Sequence, residues 1–246
     1  QRHVEAANLF SKCCVVYTHQ IDEYSNSRNT FSIDYSVVNE VPTIKIYYNA
    51  SRCRIQPLNK LINAYRFIKA NNIGIKKINK EIGEPDLLHI HILTRLGLYG
   101  LYYRIFCKKP YIITEHWSRY LELTSSFNGY IRKFITRIIV KNASYISAVT
   151  ENLAIAMQSH RLQNDNYIIL PNVVTDAFLR KSSVNESREN KTTFIHVSCF
   201  EDKSKNVSGL LRVINNLSKT HDDFIFKLVG DGMDMNWLQK YAGDLG

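Results

Sequence analysis

The chain has 246 residues, of which 45% are hydrophobic and 22% charged, a composition that excludes a mainly disordered polymer and leaves room for one large α/β domain or one and a fraction. A formal charge of +10 implies an anionic partner: a phosphorylated substrate, an acidic lipid surface or nucleic acid. No run approaches the roughly 18 apolar residues of a membrane span and no charged-then-apolar leader opens the chain, while five scattered cysteines without a C-x-x-C pair argue against a disulfide framework or a zinc site, so a cytosolic protein with buried thiols is expected.

Residues 1–11 read as an amphipathic helix with Val4, Ala7 and Leu9 or Phe10 inward, and 13–18 as a strand. His3 reads as a surface histidine of that helix. Residues 22–28 are polar and turn-like. The alternation over 31–39 and 43–48, on either side of Val41-Pro42, predicts a hairpin. Over 57–82, Leu58, Leu61, Ile62, Tyr65 and Ile68 mark one helical face; Gly74 is placed to break or kink the run, and Lys76, Lys77 and Lys80 form a solvated end.

Pro85-Asp86 opens a strand over 87–93, in which His89 and His91 share a side. Without a nearby carboxylate or cysteine to complete a set, they point to a crevice edge rather than a metal. Helical periodicity returns over 94–106, with Thr94 as its cap, and 111–114 is the next strand. Glu115-His116-Trp117-Ser118 sits at that strand's carboxyl end. A histidine there can donate a hydrogen bond to a sugar hydroxyl or a phosphate oxygen, or can simply close the loop with the tryptophan. Glu115 can orient His116, accept a proton or cap the next helix.

Phe127, Tyr130, Ile131, Phe134, Ile135, Ile138 and Ile139 form a helical stripe, read as core, with Arg132, Lys133, Arg137 and Lys141 off it and placed to touch anionic headgroups. Residues 144–149 are a strand, and Thr150 caps a helix that begins at Glu151. Residues 167–170 end the first sheet, Pro171-Asn172 turns the chain, and the polar stretch 181–191 reads as a linker.

A βαβ unit fills 192–232. The apolar run 193–198 ends at Ser198; a polar loop over 201–206 carries Lys203 and Lys205; Val207, Leu210, Leu211, Ile214 and Leu217 recur at helical spacing; the run 224–229 ends in Gly230-Asp231-Gly232. Ligands of such units sit beyond the carboxyl ends of the strands, so the lysine loop and the glycine turn should face one crevice. Lys205, beside a helix N-terminus, is the expected seat for a diphosphate.

The order strand, Lys-Asn at a helix start, then Leu-Val-Gly-Asp-Gly resembles the opening of the carboxyl-terminal nucleotide-binding domain of glycosyltransferase family 4 enzymes. The segments LLHIHILTRL, YIITEHWSRY, SAVTENLAIAM and LPNVV fall in that family's order and resemble bacterial capsule and exopolysaccharide transferases. The resemblance implies an α/β, GT-B type fold of two Rossmann-like domains with parallel sheets: an acceptor-side domain over 1–175, a linker over 176–191, and the start of a nucleotide-sugar-binding domain over 192–246, incomplete in this chain.

It also implies retaining transfer of a hexose from a UDP- or GDP-sugar to a lipid-linked or polysaccharide acceptor, with no metal and no further cofactor. His116 would be catalytic. Ser198, Lys203, Lys205, Gly230 and Gly232 would bind the donor, and Glu115, Thr150 and Glu151 would lie on the acceptor side. From the stripe and charge of 127–141 rather than from the resemblance, Arg132, Lys133, Arg137 and Lys141 are expected to face a membrane, so a cytoplasmic enzyme able to sit peripherally at the inner face of the cytoplasmic membrane, without nucleic acid, is expected. The family's paired glutamates come after residue 246, so this chain alone is expected to be inactive, and Cys199 stands where the family commonly has an arginine. Two other readings stay open: a nucleotide-sugar 2-epimerase of the same architecture, and a non-catalytic basic module docking on membrane.

Overall fold

The structure, a computed structural model, describes residues 2–21, 30–93, 95–124, 126–174 and 191–245. The expected turn at 22–28, the cap at Thr94 and the linker up to residue 190 lie outside them. The chain forms two compact units, Gln1–Leu87 and Leu88–Gly246. The expected boundary at 175 borders residues that are not described; the first unit closes a core of its own around one helix and one sheet.

In that unit, α1 (Arg2–Asn8) precedes β1 (Val15–Ile21), β2 (Phe31–Val38), β3 (Val41–Asn49) and α2 (Gln56–Glu81). The sheet order is β1-β3-β2, with β1 parallel and β2 antiparallel to β3. The hairpin forms, but its turn is Asn39-Glu40, both in the left-handed region that mirror-image hairpin turns demand. Pro42 stands inside β3 opposite Val37, before pairing with β1 begins at Thr43, so its missing N–H breaks no ladder on that side.

Helix α2 runs through Gly74 without a break. A Cβ at Gly74 would meet Ile46 Cδ1 and Val16 Cγ1 at 2.6 Å, so the glycine serves close approach of helix to sheet. The helix buries Ala70, Asn71, Gly74 and Ile78, against the expected face; Leu58, Leu61, Tyr65 and Ile68 are exposed. Small residues win the sheet side because they let the helix axis come down onto Ile44 and Ile46. Leu9 and Phe10, also expected inward, lie past the end of α1 and are exposed.

The second unit opens with β4 (Leu88–His91), α3 (Gly97–Tyr102), β5 (Tyr111–Glu115), α4 (Tyr130–Asn142), β6 (Tyr145–Ala148), α5 (Glu151–Ser159) and β7 (Tyr167–Ile169). The four strands are all parallel, in the order β4-β5-β6-β7. A π-helical turn, Tyr103–Cys107, extends α3 and is closed by Lys108 in the left-handed region. The core joins Ile90, Tyr111, Ile113, Ile139, Ile146 and Met157.

The stripe predicted on α4 divides. Phe127 and Ile139 are buried, but Tyr130, Ile131, Phe134 and Ile138 are exposed, and Thr136 and Val140 take core positions instead. Thr136 can face the core because its hydroxyl donates to the Arg132 carbonyl at 2.7 Å, so no polar group is left unpaired.

Within the same unit, β8 (Thr192–Val197), α6 (Asp202–Lys205), α7 (Val207–Ser218), β9 (Phe224–Val229) and α8 (Met235–Leu245) form the expected βαβ unit and one further helix. The lysine loop contains a single helical turn, α6, closed by Asn206 at a φ of 52°. Phe200, Val207, Leu211 and Leu238 make its core.

Candidate functional site

Two loop clusters hold the residues singled out in the sequence. The first stands at the carboxyl ends of β4, β5 and β6. Glu115 ends β5 with its side chain fully buried. Its Oε1 accepts the backbone N–H groups of His116 and Trp117, each at 2.9 Å. Its Oε2 accepts the Leu93 N–H at 3.0 Å and the Tyr120 hydroxyl at 3.4 Å. The carboxylate therefore ties the loop after β4 to the loop after β5. Its side chain is fully buried and spent on the two loops. Burial pushes its carboxyl up, opposed by the N–H donors of Trp117, Leu93 and His116 and by the nearby Arg119 charge.

His116, held by that clamp through its own amide, is partly exposed, and its Nε2 lies 3.2 Å from His91 Nδ1, with the rings stacked at 5.5 Å. His89, on the same side of β4, sends Nε2 to within 2.7 Å of the Thr114 hydroxyl, which is 2.6 Å from that of Ser147. A polar ladder thus crosses three strands. Sequence reasoning paired His89 with His91 but missed His116 as the partner of His91; the signal was period two on adjacent parallel strands. Among the described residues no group of three or more His, Cys, Asp or Glu side chains is placed to hold a metal ion.

Thr150 accepts the Leu153 N–H at 3.2 Å and so is the N-cap of α5, with Glu151 exposed in the first turn. Neither has a hydrogen bond to His116. Of the four cations expected to face a membrane, Arg132 and Lys141 are exposed and Lys133 is partly exposed, while Arg137 donates through Nε to the His160 carbonyl at 3.2 Å.

The second cluster stands at the carboxyl ends of β8 and β9. Gly230 has a φ of 154°, and a Cβ there would overlap the Ser198 carbonyl oxygen; one at Gly232 would come within 2.5 Å of the Phe200 carbonyl oxygen. Two backbone bonds, Phe200 N–H to Asp231 O at 2.9 Å and Asp234 N–H to Phe200 O at 3.0 Å, stitch the two loops together. Ser198, Gly230 and Gly232 are therefore brought together, and Lys203 and Lys205 follow one helical turn on, both exposed.

The seat at the start of α7 differs from expectation. The Asp202 carboxylate already accepts the Ser208 N–H at 2.7 Å and the Ser208 hydroxyl at 2.8 Å. Asp231 likewise accepts the Gly232 N–H at 2.7 Å. Two amides that would welcome an anion thus hold carboxylates of the chain itself, and Lys203 and Lys205 supply the free positive charge. An open groove of about 730 Å³ beside α7 is lined by Lys205, Arg212, His196 and Asn216, but not by Ser198, Gly230 or Gly232. Asp202→Ala should cost about 1–2 kcal/mol, the usual worth of a helix cap, read as a lowered urea midpoint.

A profile of Glycosyltransferase Family 4 matches residues 35–178. No curated protein matches the sequence. Among solved structures, a sucrose-phosphate synthase from Thermosynechococcus elongatus is 14% identical with a TM-score of 0.64, over 99% of this chain and 60% of that one. An E. coli trehalose-6-phosphate structure bound with UDP-2-fluoro glucose is 9% identical with a TM-score of 0.67, over 99% of this chain and 64% of that one. A lipopolysaccharide outer core galactosyltransferase in its apo form is 18% identical with a TM-score of 0.44, over 81% of this chain and 50% of that one. The chain thus spans half to somewhat under two-thirds of the lengths of these structures. The α/β, GT-B type fold with parallel sheets is common to the chain and the first two.

Proposed function

The chain belongs to Glycosyltransferase Family 4, and from that premise we propose that it serves retaining transfer of a hexose from a nucleoside-diphosphate sugar to a lipid-linked or polysaccharide acceptor in cell-surface glycan synthesis. The family match over residues 35–178 carries the reading. The UDP-2-fluoro glucose held by the E. coli relative supports a UDP-sugar as the donor class.

The chemistry asked of the chain is electrostatic. The bond from the anomeric carbon to the diphosphate breaks, and the charge that builds on the leaving oxygens needs preorganised cations and N–H donors. Lys203 and Lys205 take the first role. Gly230 and Gly232 let the β9 turn close against the Ser198 and Phe200 carbonyls, beside which the diphosphate would lie. His116, fixed through its amide by Glu115 and through its ring by His91, would hydrogen-bond the sugar or the acceptor hydroxyl. Cys199, exposed at the end of β8, offers no second cation there, so this donor site leans on the lysines.

The test is release of nucleoside diphosphate from UDP- and GDP-sugars by the full-length protein, with and without a lipid-linked saccharide. Release that depends on the acceptor, with sugar recovered on it, is the expected result. Free sugar and free nucleotide without acceptor would place the protein with the 2-epimerases, and no turnover of any donor would leave the docking module. His116→Ala should lower acceptor-dependent release about a hundredfold, in the range of a lost general catalyst or charge-stabilising group.

A further inference from the structure

Two neighbouring helices of the second unit turn large apolar side chains to solvent. On α4, Tyr130 is 88% exposed, Ile131 73% and Phe134 57%; on the π-helical end of α3, Phe106 is 72% exposed. Both helices belong to right-handed crossovers between consecutive parallel strands, which puts them side by side on one face of the sheet. They touch: a Cβ at Gly97 of α3 would meet Ile139 of α4 at 2.8 Å. Their buried sides, Gly97 and Gly100 on one and Thr136, Ile139 and Val140 on the other, face the core around Tyr111 and Ile90. The opposite sides therefore look away from the sheet together.

The pattern on α4 is that of a helix lying in an interface. At about 100° per residue, Tyr130, Phe134, Ile138 and Ile131 fall within one arc of about 100°, with Lys141 inside it and Lys133 and Arg137 along one flank. Charge is one-sided over both helices: residues 97–109 carry Arg104, Lys108 and Lys109, residues 128–142 carry Arg132, Lys133, Arg137 and Lys141, and neither stretch has an aspartate or glutamate. No described helix is long and apolar enough to cross a membrane, so this surface would engage a bilayer in its plane.

We propose that the outer face of α3 and α4 is a docking surface for an anionic phospholipid bilayer, with Phe106, Tyr130, Ile131 and Phe134 entering the headgroup boundary and the cations holding phosphate headgroups. A second copy of the chain is the poorer occupant, because a two-fold contact through this face would set cations against cations. Single-stranded nucleic acid would use the aromatic rings but leaves the aliphatic members, Leu98, Ile105, Ile131 and Ile138, without a role. The surface goes beyond the transfer reaction and is tested without any nucleotide.

The experiment is co-sedimentation of the full chain with phosphatidylcholine vesicles, with and without phosphatidylglycerol. Two variants accompany it, Ile131→Ser with Phe134→Ser, and Lys133→Gln with Lys141→Gln. All the replaced residues are exposed or partly exposed, and far-UV circular dichroism checks that each variant folds. The expected result is binding that needs phosphatidylglycerol and falls about tenfold in each variant, with the cation share weakened by salt. Equal binding to neutral vesicles, no binding at all, or binding untouched by both variants would overturn the proposal. So would a chain that dimerises through the face, or that prefers a single-stranded oligonucleotide to the vesicles.

Discussion

Glu115→Ala should destabilise the second unit by about 3 kcal/mol, since one buried and two part-buried backbone N–H groups would lose their acceptor, at a cost of roughly 1–3 kcal/mol for a fully buried one. Those are the amides of Leu93, His116 and Trp117, and the Tyr120 hydroxyl loses its acceptor with them. Urea denaturation followed by tryptophan fluorescence reads the change, because Trp117 sits on the clamp. A loss of less than about 1 kcal/mol, the size of an ordinary surface change, would show that water replaces the carboxylate and that Glu115 holds nothing.

The same group predicts a pH dependence. Its carboxyl is raised by burial, so the folded state disfavours the ionised form relative to the unfolded chain. Its contribution to stability is fully present below the ordinary carboxylate range and is lost as pH rises through the raised, folded value. Glu115→Gln removes that titration while keeping an acceptor oxygen. The advantage of the native protein over this variant should therefore shrink as pH climbs through that window; an advantage that grows would reverse the sign argued here.

Gly230→Ala is expected to cost on the order of 3 kcal/mol or more, in the class of strained backbone joined to overlap. The new methyl would run into the Ser198 carbonyl oxygen while the backbone is held at a φ of 154°. Relief requires the β9 turn to move off the β8 loop, which breaks the bond from Phe200 N–H to Asp231 O. Both the urea midpoint and the affinity for nucleoside diphosphate should fall together. A variant as stable as the native chain would mean that the two loops are not packed as described.

The parts of the fold that announce themselves in the sequence are those in which one periodicity governs one element. The β9 run at 224–229 and the β5 run from Tyr111 name their structure as short apolar runs, and Val207, Leu210 and Leu211 do so by helical spacing. The faces of α2 and α4 were harder. Small and polar residues, Gly74 and Thr136, took sheet-facing positions from larger apolar neighbours, and size hides that exchange in a pattern built on hydrophobicity. The hairpin turn slipped by two residues because Pro42 looks like punctuation, whereas Asn39-Glu40 bears the positive φ values.

The candidate site divides in the same way. The residues of the β8 and β9 loops were legible because a βαβ unit is contiguous in sequence and its ligand end is set by topology. The clamp around Glu115 and the contact of His91 with His116 were not, since both join segments more than twenty residues apart. The Asp202 cap over Ser208 was missed for a different reason: in sequence, DKSKN reads as a charged loop, and only its folding into one turn aims the aspartate back at the helix start.

The central claim, that a nucleoside diphosphate is seated where β8 and β9 end, is tested most directly by amide chemical shifts of the nitrogen-labelled chain as UDP or GDP is added. The amides of Ser198, Lys205, Gly230 and Gly232 should move together and saturate, with the response weakened about tenfold in Lys205→Ala, the loss of one charge-assisted contact. Shifts confined to other parts of the chain, or none with either nucleotide, would contradict it.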